Sequence, residues 1–206
     1  MCSSDLNDPQ ATHTLAFLKI PVVWWCFVFF FLSTMTLAIV QTFSVSILQA
    51  MHHVSFESAT LTLTAYMLSA AAGIFLGGFV ASRWPLHSDR VVGICMTVAA
   101  IFMALCGSGW FGGTATMVIL AATGLSIGVG GPSRDMMIKK ATPKGATGRV
   151  YGMVYSGLDV GFAISPLVFG VFMDRGWYGL TLVCGAGVLL LSVLVALGVG
   201  KRTQVA

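Results

Sequence analysis

Charge is scarce in this 206-residue chain: only 9% of it is Asp, Glu, Lys or Arg, against roughly 25% in soluble domains. With 57% hydrophobic residues and a mean hydropathy of +0.91, a water-soluble fold would lack the polar groups to cover its surface. Two soluble domains would fit the length but not the composition. The formal net charge of +4 does not point to nucleic acid, because the Lys and Arg residues fall in short gaps between apolar runs and form no basic face. Histidine is rare as well. His13, His52, His53 and His87 all lie outside the apolar runs, which leaves a buried serine nucleophile without a base. No DDxxD-type acidic pair exists, so a metal–pyrophosphate membrane transferase is excluded. The five cysteines, Cys2, Cys26, Cys95, Cys106 and Cys184, have no CxxC spacing, and four lie in apolar runs, where a free thiol acts as a small hydrophobe. No cofactor and no metal are expected.

What the chain has in abundance is apolar runs. The hydrocarbon core of a bilayer is about 30 Å thick and a helix rises about 1.5 Å per residue, so about 20 apolar residues span it. Six spans are read: Pro21–Ile47, Ala59–Val80, Val91–Cys106, Met117–Met136, Val150–Phe172 and Leu180–Val199. The first begins too far in and runs too long for a cleaved signal peptide.

The connections alternate in charge. With the termini placed on the side of "RWPLHSDR" and "RDMMIKKATPKGATGR", that side holds Lys19, Arg83, Arg90, Arg134, Lys139, Lys140, Lys144, Arg149, Lys201 and Arg202. The other side holds Arg175 alone. Basic residues are retained on the cytoplasmic face, so both termini are expected there.

Glycines recur at four-residue spacing within the spans: Gly73 and Gly77, Gly124 and Gly128, Gly157 and Gly161. Small residues at this spacing let helix backbones approach closely in lipid. They imply a tight bundle and no chemistry. "GLSIG" (Gly124–Gly128) matches the nucleophile-elbow pattern but lies within a helix, where the elbow's strand-to-helix turn cannot form. "GVGGPS" ends in Ser133 where a dinucleotide fingerprint needs glycine, and it follows no strand. His52 and His53 are adjacent, point to different faces and have no third ligand nearby, so a solvated loop entry is the better reading.

Asp159 is the exception to the apolar rule. It lies ten residues beyond Arg149, about 15 Å into the membrane. Such a residue costs about 2.5–3.5 kcal/mol on insertion scales and usually faces a bundle interior or a wet cavity. Tyr151, Tyr155 and Asp159 recur at i, i+4 and i+8, with Ser156 on the same side; Val154, Leu158 and Val168 lie opposite. A polar pathway is the favoured reading, and an Asp paired for structure alone is the competing one. Gln41, Thr34 and Thr36 in the first span, and Tyr66 and Ser69 in the second, are candidates to line the same pathway, although Ser and Thr also bond their own helix carbonyls. Arg134 and Asp135 end the fourth span and either gate the pathway or anchor that end at the headgroups, with anchoring favoured.

With these features the chain resembles, from about Lys19 onward, the C-terminal half of a major facilitator superfamily transporter. The resemblance rests on six spans with cytoplasmic termini, on "GGFVASR" (Gly77–Arg83), on "GGPSRD" (Gly130–Asp135) and on the basic loop "KKATPKGATGRVYG". It implies an all-α membrane fold, a six-helix bundle that is half of the family's architecture, built as a 3+3 inverted repeat. The family's loop motif G-x-x-x-D-R-x-G-R-R is matched by Gly78 and Arg83, while Ser82 replaces the aspartate. That departure is typical of the second half and weakens a gating role for Arg83. The resemblance also implies that the third and sixth spans face lipid. Residues 19–200 would be the half-domain, 201–206 a cytoplasmic tail, and 1–18 the end of a central loop. The opening "MCSSDL" resembles a translated sequencing-adapter end, so residues 1–6 are read as foreign to the chain.

The functional expectation is alternating-access transport of a small solute in a bacterial inner membrane, proton-coupled or facilitative, with Asp159 as the candidate coupling group. Its partners would be the lipid bilayer, a small-molecule substrate and an N-terminal six-helix half. The runner-up is a non-transporting scaffold or partner subunit that binds another membrane chain; a membrane enzyme has the least support. The orientation is checked by single cysteines at Lys140 and Gly112 in a cysteine-free background. A membrane-impermeant thiol reagent applied to intact cells should label Gly112→Cys and spare Lys140→Cys; equal labelling would refute the assigned topology.

Overall fold

In the computed structural model, which describes residues 21–84, 87–141 and 147–203, the six apolar runs are six helices. They are α1 (Pro21–His52), α2 (Phe56–Arg83), α3 (Ser88–Gly107), α4 (Gly113–Ala141), α5 (Thr147–Asp174) and α6 (Tyr178–Thr203). All six are long and apolar enough to cross a membrane, and no strand occurs among the described residues. Each helix outruns its hydropathy signal; α1 continues from Ile47 to His52, and α4 starts at Gly113. Polar side chains end the signal at the headgroups, but the backbone still needs its hydrogen bonds and stays helical. Residues 1–18, Lys19 and Lys144 lie outside the described residues.

The helix ends follow local chemistry. Ser55 caps α2 by accepting the Ser58 N–H at 3.3 Å. α5 stops at Gly176, whose φ of +74° suits glycine. There the Gly176 N–H bonds the Met173 carbonyl at 3.0 Å and the Trp177 N–H bonds the Phe172 carbonyl at 2.9 Å, the paired bonds of a Schellman ending. Phe172 and Trp177 close the turn edge to face, 5.9 Å apart.

The helices form one bundle in which α1 also touches α2 and α4. α2 packs mainly on α4, and α5 mainly on α1, while α3 and α6 pack on each other and on α4 and α1 respectively. α2 and α5 are therefore the flanks and the least covered helices. The outward side of α3 and α6 shows Ile94, Ile101, Leu190, Leu191 and Leu194 exposed, a surface suited to acyl chains.

Close approach at glycine holds three seams. A Cβ on Gly73 would collide with the Leu125 carbonyl, one on Gly77 with the Val129 carbonyl, and one on Gly128 with the Ala70 carbonyl. In the α1–α5 seam, Cβ atoms at Gly157 and Gly161 would stand 2.9 and 2.8 Å from the Phe27 and Phe31 carbonyl oxygens. Gly107 and Gly179 face each other between α3 and α6. Buried or half-buried hydroxyls add cross-ties. Ser165 donates to the Met35 carbonyl at 2.8 Å, Thr36 to the Gly185 carbonyl at 3.0 Å, and Ser126 to the Cys95 carbonyl at 2.8 Å. Each such bond is worth about 0.6 kcal/mol in a membrane.

Two neighbouring glycines should respond with opposite signs. At Gly77 the obstacle is backbone, which cannot move aside, whereas nothing lies within 4 Å of a Cβ on Gly78. Gly77→Ala is expected to lower the thermal midpoint in detergent by several degrees. Gly78→Ala should hold or raise it, since alanine is favoured over glycine in a helix by about 1 kcal/mol. Intrinsic tryptophan fluorescence on heating reads both.

Candidate functional site

The two sides of α5 differ in kind. Val154, Gly157, Gly161, Ser165 and Phe169 are buried, and they follow each other by three or four residues, the spacing of one helix face. Packing this face against α1 turns Ser156 and Asp159 away from the bundle, where both are exposed, and leaves Tyr155 partly exposed at the edge of the contact. Of the three residues read as lying opposite Asp159, Val154 packs inward, Leu158 is half-buried and Val168 is exposed. Asp159 stands twelve residues after Thr147 and fifteen before Asp174, close to the middle of the helix. Among the described residues it has no ion pair. The Ser156 hydroxyl donates to its own helix, to the Met153 carbonyl at 2.7 Å.

One turn and two turns below Asp159, Tyr155 and Tyr151 stack with ring centroids 5.9 Å apart. Tyr155 also meets Phe30 of α1 at 5.5 Å. The Arg134 guanidinium of α4 lies over the same Phe30 ring, 4.6 Å from its centroid, a distance that gives cation–π attraction. Arg134 Nε stands 3.5 Å from Asp135 Oδ1, and the Tyr155 hydroxyl approaches the Asp135 carboxylate. Three helices thus converge at the basic end on two tyrosines, a phenylalanine and a charge pair. The Arg134 side chain is only 22% exposed.

The other sequence candidates are dispersed. Gln41 is half-buried on α1, and Arg83 is exposed at the end of α2. Tyr66 is 1% exposed in the α2–α4 seam, where its backbone carbonyl and ring would meet a Cβ on Gly124. Thr34 is buried and faces Gly161, and Thr36 is the tie to α6 described above. Ser69 is half-buried. The structure therefore gathers Tyr151, Tyr155, Ser156 and Asp159 on one helix, with Arg134 and Asp135 beside the tyrosines, and brings neither Gln41 nor Tyr66 to them by any described bond.

One set of polar residues escaped the sequence reading. Thr42, Ser46 and Gln49 are all exposed on α1, at i, i+4 and i+7. That spacing was available in the sequence; it was obscured because the first span is otherwise so apolar that single polar residues carried little weight. The serine of "GLSIG", by contrast, is the Ser126 tie to α3. Near the other end, His52 is the last residue of α1, at the entry to the loop, and its Nε2 lies 3.3 Å from Thr116 Oγ1.

Comparison with protein families gives one finding: the family model of the Major Facilitator Superfamily matches residues 13–205. No curated protein matches the chain.

Burial of Tyr66 makes a separate prediction. Its hydroxyl has no hydrogen-bond partner among the described residues, and an unsatisfied buried group costs about 1–3 kcal/mol. Tyr66→Phe should therefore hold or raise the thermal midpoint in detergent. A fall of several degrees would show that the hydroxyl is bonded in the folded protein.

Proposed function

The chain belongs to the Major Facilitator Superfamily, a family of membrane transporters, and from that premise we propose that it forms the C-terminal half of a proton-coupled transporter of a small solute. The observation that carries this reading is Asp159. An exposed carboxylate near mid-helix is costly against hydrocarbon, and the opposite face of α5 is already committed to α1. The exposed face therefore belongs against a wet cavity, closed by a second six-helix half. Transport then rocks one half against the other about a site near the midplane.

In this scheme Asp159 binds and releases the coupling proton as the cavity opens to one side and then the other. Tyr155, Tyr151 and Ser156 continue the polar path, with Gln41 as its contribution from α1. Arg134 and Asp135 form the gate at the basic end, where Tyr155 and Phe30 close the path, and Arg83 holds the end of α2. The basic end is cytoplasmic, both termini are on that side, and the membrane is a bacterial inner membrane.

The test uses liposomes containing the chain co-expressed with a matching N-terminal half. Uptake driven by a pH gradient should appear with both halves and be absent from the chain alone. Asp159→Asn keeps shape and hydrogen bonding but cannot titrate. It should abolish gradient-driven uptake, by at least about tenfold, while counterflow exchange of substrate survives. Gradient-driven uptake equal to the parent would remove Asp159 as the coupling group. Uptake by the chain alone would remove the half-transporter reading.

A further inference from the structure

On the outer side of the bundle, away from the Asp159 face, α3 and α6 leave an open groove of about 410 Å³. Its floor exists because residue 93 is glycine. A Cβ there would already stand 3.7 Å from Val193 Cγ1 and 3.8 Å from Leu197 Cδ2, so any longer side chain would occupy the groove. Ile94 and Val98 of α3 and Val193 and Leu197 of α6 form its walls. Thr97 also lines it, but its hydroxyl donates to the Gly93 carbonyl at 2.7 Å and offers no donor outward. The walls are hydrocarbon almost throughout, which suits an alkyl chain and gives a polar solute nothing to hold.

The mouth is different. Arg90 lines it and is exposed in the first turn of α3, and among the described residues no carboxylate pairs with it. Asp89, the preceding residue, is half-buried and turned about 100° around the helix. Lys140 is engaged on the far side of α3, where its Nζ meets Ser88 Oγ at 3.5 Å. Arg90 is therefore the cation the groove presents. From Arg90 to Val98 the helix rises about 12 Å, close to the depth of one leaflet, about 15 Å of hydrocarbon.

A cation at headgroup level and an apolar trough one leaflet deep have a complementary ligand. The geometry points to a binding site for one anionic phospholipid, its phosphate on Arg90 and an acyl chain in the α3–α6 groove. The site is distinct from the transport path and would tie the outer wall of the bundle to lipid composition. An unpaired arginine beside an anionic membrane surface gains about 1 kcal/mol, which is about fivefold in affinity.

Native mass spectrometry of the chain in nonionic detergent tests this. The probes are palmitoyl-oleoyl phosphatidylglycerol and the phosphatidylcholine with the same chains. The parent should retain the glycerol lipid about fivefold better, and Arg90→Gln should bring the two to parity. Ile94→Trp, at an exposed position on the groove wall, should reduce retention of both lipids several-fold. Equal retention by the parent, or a preference that survives Arg90→Gln, would overturn the site. So would undiminished retention in Ile94→Trp. A dimer that displaces lipid and dissociates on Ile94→Trp would also overturn it, assigning the groove to a second copy of the chain.

Discussion

Close backbone approach between helices is the constraint on which the rest of this protein depends. Lipid tails are as apolar as leucine, so burying apolar side chains from lipid gains little, and helices must associate through packing and a few hydrogen bonds. Gly73, Gly77, Gly124 and Gly128 let α2 and α4 meet backbone to backbone, and Gly157 and Gly161 do the same for α5 on α1. Where approach is this close, hydroxyls can reach across to a neighbouring helix. Ser165 and Thr36 reach the carbonyls of Met35 and Gly185 only because the helix axes are held near each other. The same serines and threonines in a looser bundle would turn back on their own helices, as Thr62 and Thr97 do.

Fixing one face of a helix decides the other. In α5 the glycine face is drawn onto α1, and the helical period then carries Ser156 and Asp159 outward. Among the described residues the carboxylate has no ion pair; it is placed by the residues behind it.

The bundle also presents two unlike surfaces. Around Tyr151, Tyr155, Arg134 and Asp135, aromatic rings and charges from three helices shield one another at the basic end. On the side of α3 and α6 the surface is aliphatic, with Arg90 as the cation at its edge. The first surface is rich in polar groups, and the second has almost none. A transporter of this family needs both, because one side encloses an aqueous path and the other meets lipid.

The sequence by itself determined the number of helices, their approximate extent, the bias of basic residues to one set of loops and the resemblance to the family that the match over residues 13–205 bears out. These follow from hydropathy, charge and short-range spacing, all local along the chain. It also marked Asp159, because a carboxylate in an apolar run stands out whatever the fold. Which polar residues belong together was settled only by tertiary structure. Tyr66 and Asp159 read alike in sequence, a polar group in a span, yet one is sealed in the α2–α4 seam and the other is exposed. The contact of Arg134 with the Phe30 ring of α1 is likewise a product of tertiary packing. The polar line Thr42, Ser46 and Gln49 gained meaning once one side of α1 was seen to be uncovered. The physical reason is common to all three: periodicity says which residues share a face, and only the neighbouring helix says whether that face is covered.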